Sequence, residues 1–261
     1  MAHRLVLSID IGNTNTHVGL IDCGALSCLV SDAFPTPEIQ TRLLPSLVSL
    51  AQTQKEYEPK RLPVALCSVV NDAKDPVSSM MDGWLFGPGQ WLEWGRHLPF
   101  SVAYQNTRTL GPDRLANCLY GNAAFPGKNQ IIIDAGTATK IDFLKNGSAF
   151  AGGAILPGIT TQLKSLHQHT SALPLIANAD AADLEFPGTS TEACMISGVR
   201  FGTAGGLSFL VNRYRDLFGG DSIVLATGGA WKQVEKLVTF EFTHVKDLTL
   251  IGTGLSYQAR S

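Results

Sequence analysis

The chain reads Leu5-Val6-Leu7-Ser8-Ile9-Asp10-Ile11-Gly12-Asn13-Thr14-Asn15-Thr16 near its start. It repeats the design as Ile131-Ile132-Ile133-Asp134-Ala135-Gly136-Thr137-Ala138-Thr139-Lys140-Ile141-Asp142. Each copy is an apolar, β-branched run, then Asp-x-Gly, then small hydroxylated residues, then a second apolar run. Such a run forms a strand that delivers a carboxylate to its end. The glycine lets the backbone turn close to a ligand, and the threonines supply hydroxyl donors. One copy describes an ordinary hairpin with an Asx turn equally well. Two copies, one in each half, read as a pair of phosphate-handling hairpins closing on a nucleotide.

On that reading the N–H groups around Gly12 to Asn15 form an anion-binding nest, to which Thr14 and Thr16 add hydroxyls. Asp10, at the strand end, orders a hydrated Mg²⁺. Gly136, Thr137 and Ala138 hold the terminal phosphate. Two further segments belong beside the hairpins. Asp113, in Gly111-Pro112-Asp113-Arg114, stands at the start of a helix, where it serves as an N-cap or as a catalytic base; spacing does not choose between them. Thr227-Gly228-Gly229 follows a short apolar strand, where a glycine pair lets an adenine or ribose lie against the backbone, although such a pair is also a common turn.

The rest of the composition narrows the class. The chain has 261 residues, 44% of them apolar and 16% charged, with a net charge of −2. That makes one large domain or two moderate ones with a substantial core. It leaves no electrostatic footprint for nucleic acid. Five cysteines, without a Cys-x-x-Cys pair, read as reduced thiols of a cytoplasmic protein. The first apolar stretch is too short for a signal peptide core, and no run of about 18 apolar residues suggests a membrane span. P-loop, dinucleotide-fold, zinc-helix and nucleophile-elbow motifs are absent from the sequence. His167 and His169, two apart, face different sides of a helix and read as surface or capping residues.

Strand and helix patterns alternate. His17 to Asp22 is a return strand, and Glu38 to Gln54 a helix that Pro45 kinks or starts late. Leu62 to Val70 is a buried strand, Pro76 to Leu85 a helix, and Phe86 to Gly89 a loop. Trp84, Trp91 and Trp94 read as core or loop anchors rather than a platform for a base. Helices follow from Gly111, over Ile159 to Leu173, and over Thr191 to Phe218. In the last of these, Gly198, Gly202, Gly205 and Gly206 let another backbone approach. A strand at Ile223 to Ala226, a helix from Ala230 to Leu237, a strand near Val245 and a helix from Leu248 to Ala259 complete the chain. The expected class is α/β, with two related lobes, residues 1–114 and 115–261, and a cleft between them.

Taken together these segments resemble the type III pantothenate kinases, a branch of the acetate/sugar kinase–Hsc70–actin superfamily of actin-like (ribonuclease H-like) ATPases. Asp10 to Thr16 looks like the family's first phosphate motif, Gly111 to Arg114 its Gly-x-Asp-Arg motif, Asp134 to Thr139 its second phosphate motif, and Ala226 to Gly229 its adenosine motif. Ser68 to Val70, Tyr104-Gln105-Asn106, Gly152 to Gly158, and Thr191 ahead of Ser197-Gly198 are weaker matches in the family's order. The resemblance implies ATP-dependent phosphorylation of pantothenate, the first step of coenzyme A synthesis. It makes Asp113 the general base. Tyr104, Gly111, Pro112, Asp113, Arg114 and Thr191 would hold pantothenate. Asp10, Ile11, Gly12, Asn13, Thr14, Asn15, Thr16 and His17, with Thr137, Gly228 and Gly229, would hold ATP with Mg²⁺. Asp134 would bind potassium or ammonium, and the protein would be a homodimer. Arg114 would meet either the pantothenate carboxylate or phosphate charge. Pro112 replaces a usual small residue, Lys140 a usual threonine, and Thr107 a usual proline. The alternatives on the same scaffold are a catalytically weak accessory protein for transcription and another small-molecule kinase.

Overall fold

The computed structural model describes residues 4–53, 62–81, 86–87, 89–94, 98–176 and 184–258. The chain packs as two compact units. The first holds Met1–Lys128, Leu144–Ala151 and Asp247–Ser261, the second Asn129–Phe143 and Gly152–Lys246. The sequence reading divided the chain at residue 114. Packing keeps the helix that begins there, and the last helix of the chain, with the first unit.

In the first unit β1 (Leu5–Ile11) is buried almost throughout, as a run of Leu, Val and Ile covered on both faces requires. It pairs antiparallel with β2 (Asn15–Asp22), which pairs antiparallel with β3 (Ser27–Pro35). On its other side β1 runs parallel to β4 (Val64–Ser68), and β4 to β5 (Gly89–Trp91), for a sheet order β3-β2-β1-β4-β5. The strand β3 was not read from the sequence, because its half-buried residues include Ser27, Ser31 and Asp32. The helix α1 (Ile39–Gln52) packs on β2 and β3, burying Leu43, Leu47 and Leu50 at helical spacing. It includes Pro45 in its interior rather than starting after it. The short helix α2 (Lys74–Met81) buries Val77 and Met81. The expected extension to Leu85, with Trp84, and Pro88 of the expected loop lie outside the described residues.

The helix α3 (Pro112–Ala124) lies against the helix that ends the described chain, Leu248–Gln258. That terminal helix also packs on β1, β2 and β4. Its glycines set how close it comes. A side-chain carbon at Gly252 would overlap the carbonyl of Ala116 on α3, and one at Gly254 would sit 2.9 Å from Ser8 Oγ and 3.1 Å from Ile21 Cβ.

The second sheet repeats the first. Its strands are β6 (Ser101–Val102), β7 (Asn129–Ala135), β8 (Ala138–Lys145), β9 (Ala149–Pro157), β10 (Ser222–Thr227) and β11 (Thr243–His244), in the order β11-β10-β7-β8-β9-β6. Set β6 aside and the order is that of the first sheet, with β10 parallel to β7 and β11 parallel to β10 as before. β6 pairs with Ala149 and Phe150, which belong to the first unit. The helices of the second unit are α4 (Ile159–Gln168) and α5 (Thr191–Phe218). The terminal helix Leu248–Gln258 is therefore α6. Phe143 of β8 stacks on Tyr214 and Phe218 of α5. In place of the helix expected over Ala230–Leu237 there is a 3-10 turn, Trp231–Gln233, followed by further turns. The fully buried Trp231 draws this segment inward against Phe240 and Phe242.

The α5 helix carries an 18-residue window of mean hydropathy 1.3, long and apolar enough to cross a membrane, a run that the sequence reading did not find. Half of that window is buried inside the protein, as in a core helix.

One buried acidic residue anchors the β2–β3 turn. Asp22 Oδ1 accepts the N–H groups of Gly24 and Ala25, each at 3.0 Å, while Oδ2 accepts Arg4 Nη2 at 2.8 Å. The Arg4 guanidinium holds the Asp22 carboxyl below its ordinary value of 3.8, against the opposing pull of burial. The resulting stabilisation is fully present above pH 3.8 and disappears as pH falls through the lowered folded value. We expect Asp22→Asn to lower stability at pH 7 by on the order of 1 kcal/mol, given the solvent exposure of Arg4. In paired thermal melts across pH, the gap to the native protein should close at the acid end.

Candidate active site

The first hairpin is held open by a residue outside it. Gly12 N–H donates to Asn15 O at 3.0 Å, closing the turn around exposed Asn13 and Thr14. Thr36, just after β3, donates its N–H to Thr14 O at 3.0 Å and its hydroxyl to Gly12 O at 2.7 Å. Thr16 Oγ1 lies 3.1 Å from Thr36 Oγ1. A threonine hydroxyl has one hydrogen, and Thr36 gives its own to Gly12, so Thr16 is the donor in that pair. Thr16 is completely buried. Through that contact its hydroxyl braces the turn. The Ile11 side chain is completely buried as well, and its carbonyl accepts Val69 N–H at 3.1 Å. Half-buried Asp10 stands at the strand end opposite exposed His17. The exposed groups of the turn are Asn13, Thr14, Asn15 and His17.

The second cluster of the first unit gathers at the start of α3. Gly111 is the N-cap, Pro112 takes the first helical position, and Asp113 falls in the first turn. That placement accounts for the unusual proline, whose fixed φ suits a helix start and whose missing N–H is no loss there. Asp113 is buried, and its Oδ1 accepts Arg114 N–H at 2.9 Å. The carboxylate folds over Gly111, where an added side-chain carbon would strike it. Arg114 is 4% exposed. Its guanidinium lies 5.6 Å from the Tyr104 ring and 5.3 Å from the Phe150 ring, with Nη1 3.5 Å from the Tyr104 hydroxyl. The fold thus brings Tyr104 against Arg114, the sequence neighbour of Asp113. It adds Phe150, which no local pattern marked, because the ring reaches Arg114 from a strand 36 positions later. Stacking on two rings fixes a buried guanidinium more firmly than either ring alone.

The remaining candidates lie in the second unit. Asp134 ends β7, and its Oδ2 is 2.8 Å from Lys140 Nζ on β8, with side-chain exposures of 13% and 17%. Thr137 sits in the turn, its carbonyl accepting Gly158 N–H at 3.0 Å and Thr161 Oγ1–H at 2.7 Å. Gly228 has φ of +94°, and a side-chain carbon there would overlap the Ala135 backbone. Gly228 therefore serves the crossing of two main chains, and Ala230 N–H secures it by donating to Ala135 O at 3.0 Å. Gly229, with open space beside it, is the member of the pair that leaves room for a flat ligand. Thr191 is exposed in the first turn of α5, which Ser190 caps by accepting Ala193 N–H at 3.1 Å.

Other expected features fall into structural places. Trp91 donates its indole N–H to Ser78 at 3.0 Å, anchoring α2 to β5. His167 Nδ1 lies 2.8 Å from Leu173 O at the end of α4. Among the described residues no group of three or more His, Cys, Asp or Glu side chains could hold a metal ion.

Two Asp-x-Gly hairpins on equivalent strands of two like sheets, with a buried Asp-Arg pair at a helix start, define a recognisable set. Residues 6–213 match the family model of the type III pantothenate kinases. The chain belongs to that family. It is 31% identical to the type III pantothenate kinase of Dehalococcoides mccartyi (strain ATCC BAA-2266 / KCTC 15142 / 195), over 99% of this chain and 98% of that one. It is 32% identical to that of Bacteroides fragilis (strain YCH46), over 85% of each. Among solved structures it is similar to a Campylobacter jejuni protein assigned to the Baf family of transcriptional activators, with TM-score 0.58, 21% identity, and 95% and 94% of the two chains covered. A ROK family glucokinase from Streptomyces griseus, solved with glucose and AMPPNP, gives TM-score 0.56 at 13% identity, covering 96% and 98%. These likenesses establish the two-lobed fold of the actin-like ATPases and sugar kinases.

Within this pantothenate kinase the bracing of the first hairpin is open to measurement. Thr36→Val removes the hydroxyl that ties Gly12 and Thr16, bonds worth about 1 kcal/mol each. Amide exchange at Gly12 to Asn15 should quicken by roughly tenfold, while the centre of β1 keeps its protection. Unchanged exchange in the turn would show that Thr36 does not hold it.

Proposed function

We propose that this chain transfers the γ-phosphoryl group of ATP to the primary hydroxyl of pantothenate, giving 4′-phosphopantothenate and ADP. The observation that carries this reading is the buried Asp113 carboxylate at the start of α3, followed in sequence by Arg114, whose buried guanidinium lies over two aromatic rings. Phosphoryl transfer needs little covalent chemistry from a protein and much positioning and charge neutralisation. Asp113 supplies the base. The alcohol O–H bond breaks with its proton passing to the carboxylate, the new O–P bond forms, and the bond from the γ-phosphorus to the bridging oxygen breaks onto ADP. Tyr104, Gly111, Pro112 and Thr191 hold pantothenate. Arg114 gives a fixed positive charge suited to the substrate's carboxylate.

For ATP, the exposed turn Asn13 to Asn15, with Gly12 and His17, takes phosphate oxygens. Thr137 and Gly229 are the further ATP-contact residues that the resemblance implies, and Gly228 shapes the backbone beside Gly229. Asp10, a hard oxygen donor at a strand end next to that turn, fits Mg²⁺. Bound Mg²⁺ screens the triphosphate charge. A potassium or ammonium ion at Asp134, which the resemblance implies, is left out of this reading, because Lys140 already brings a cation to that carboxylate. The cysteines, with no disulfide among the described residues, suit the proposed cytoplasmic location.

The reading includes a homodimer. Gly198, Gly202 and Gly205 lie along one side of α5, and a side-chain carbon added to any of them meets open space. Phe209, 65% exposed, continues that side. A second copy of α5 would cover it. Phe209→Glu should convert the dimer to monomer in sedimentation velocity; a native protein that sediments as a monomer removes the dimer from the reading.

The activity is tested by ADP release with a panel of small hydroxy acids, pantothenate among them, and by the mass of the product. Asp113→Asn should lower kcat by roughly 10²- to 10⁴-fold with fold and nucleotide binding retained. A near-normal rate at saturating substrates would falsify the base assignment.

A further inference from the structure

We propose that Lys140 is a built-in counter-ion that takes the place of a soluble monovalent cation at Asp134, so that turnover depends on neither potassium nor ammonium. The proposal rests on the pantothenate kinase reading for its activity arm. Its physical basis is local. The Lys140 ammonium is 2.8 Å from Asp134 Oδ2, and both side chains are mostly withdrawn from solvent. The two residues flank one short hairpin turn, so the lysine is delivered to the carboxylate by the chain itself. A tethered group competes at a high effective concentration with any ion that must arrive from solution.

The surroundings hold that corner in place. Thr137 in the turn is gripped through its carbonyl by Gly158 and Thr161. Ala135, next to Asp134, carries the crossing of Gly228 and the hydrogen bond from Ala230. The donor chemistry also runs against a bound cation. A threonine hydroxyl, expected at position 140 from the resemblance, offers oxygen lone pairs to an ion; an ammonium offers only hydrogens and repels one. A potassium ion on Asp134 would have to displace Lys140 and leave its charge in a poorly solvated place. The residues present therefore do not fit an exchangeable cation, and they do fit its replacement.

The test compares rates for the native enzyme with saturating MgATP and pantothenate in sodium, potassium, ammonium and choline chloride of equal ionic strength. We expect rates within about twofold of one another; a rise of about tenfold or more with potassium or ammonium (1.4 kcal/mol) overturns the proposal. Lys140→Thr should lose activity in sodium or choline and regain it with saturable dependence on potassium or ammonium. Equal activity of that variant in every salt also overturns it. Thermal unfolding supplies a readout independent of turnover. The native protein should melt at the same temperature in sodium and potassium, and Lys140→Thr should be stabilised by potassium. A native protein stabilised selectively by potassium sinks the proposal. Absence of pantothenate phosphorylation in every salt sinks the functional reading instead, and the melting comparison still decides on Lys140.

Discussion

A carboxylate withdrawn from water demands hydrogen bonds or a neighbouring positive charge, and much of this molecule is organised around meeting that demand. Asp113 meets it in the first turn of a helix, with the Arg114 N–H. Asp134 meets it with a lysine from the facing strand. Asp22 meets it with two backbone N–H groups and Arg4. Asp10 stands half-buried at a strand end beside a polar, exposed turn. The same motif, written twice, thus yields one carboxylate paired with a lysine and one half-buried beside an exposed polar turn. The repeated strand order supplies the frame, and the setting of each carboxylate distinguishes the two halves.

Close packing then determines where those groups can be. Gly252 lets α6 come against the backbone of α3, and Gly254 lets the same helix lie on β1 and β2. The strand that carries Asp10 and the helix that carries Asp113 are therefore both in contact with α6. A larger residue at either glycine would shift α6 against α3 or against β1 and β2, since protein interiors have little slack.

What could be read from the residues was what local patterns encode. The two hairpins were visible because β-branched runs, Asp-x-Gly and hydroxylated residues lie within a dozen positions. The α5 helix was legible over its whole length despite its glycines. By contrast, Thr36 braces a glycine carbonyl 24 positions away, and Phe150 covers an arginine 36 positions away; no window of sequence contains both partners. Thr16 and Ile11 share a motif with the exposed turn residues, but alternation along a strand sends their side chains into the core, which the motif alone does not show. Lys140 was noticed as a departure from the family, but its choice of Asp134 as partner needed three dimensions. The 3-10 turn at Trp231 was misread as a helix because burial of one large ring overrode helical spacing.

The order of the elements along the chain bears on how the protein is made. The first sheet begins the chain, yet α6, which covers it, follows every residue of the second unit. A ribosome therefore releases β1 to β4 long before their covering helix exists. During that interval the apolar face that α6 will shield is exposed to solvent and to other nascent chains. Synthesis thus imposes a waiting period on the amino-terminal half that its own stability does not remove, and a chain lacking α6 would carry that unshielded face permanently.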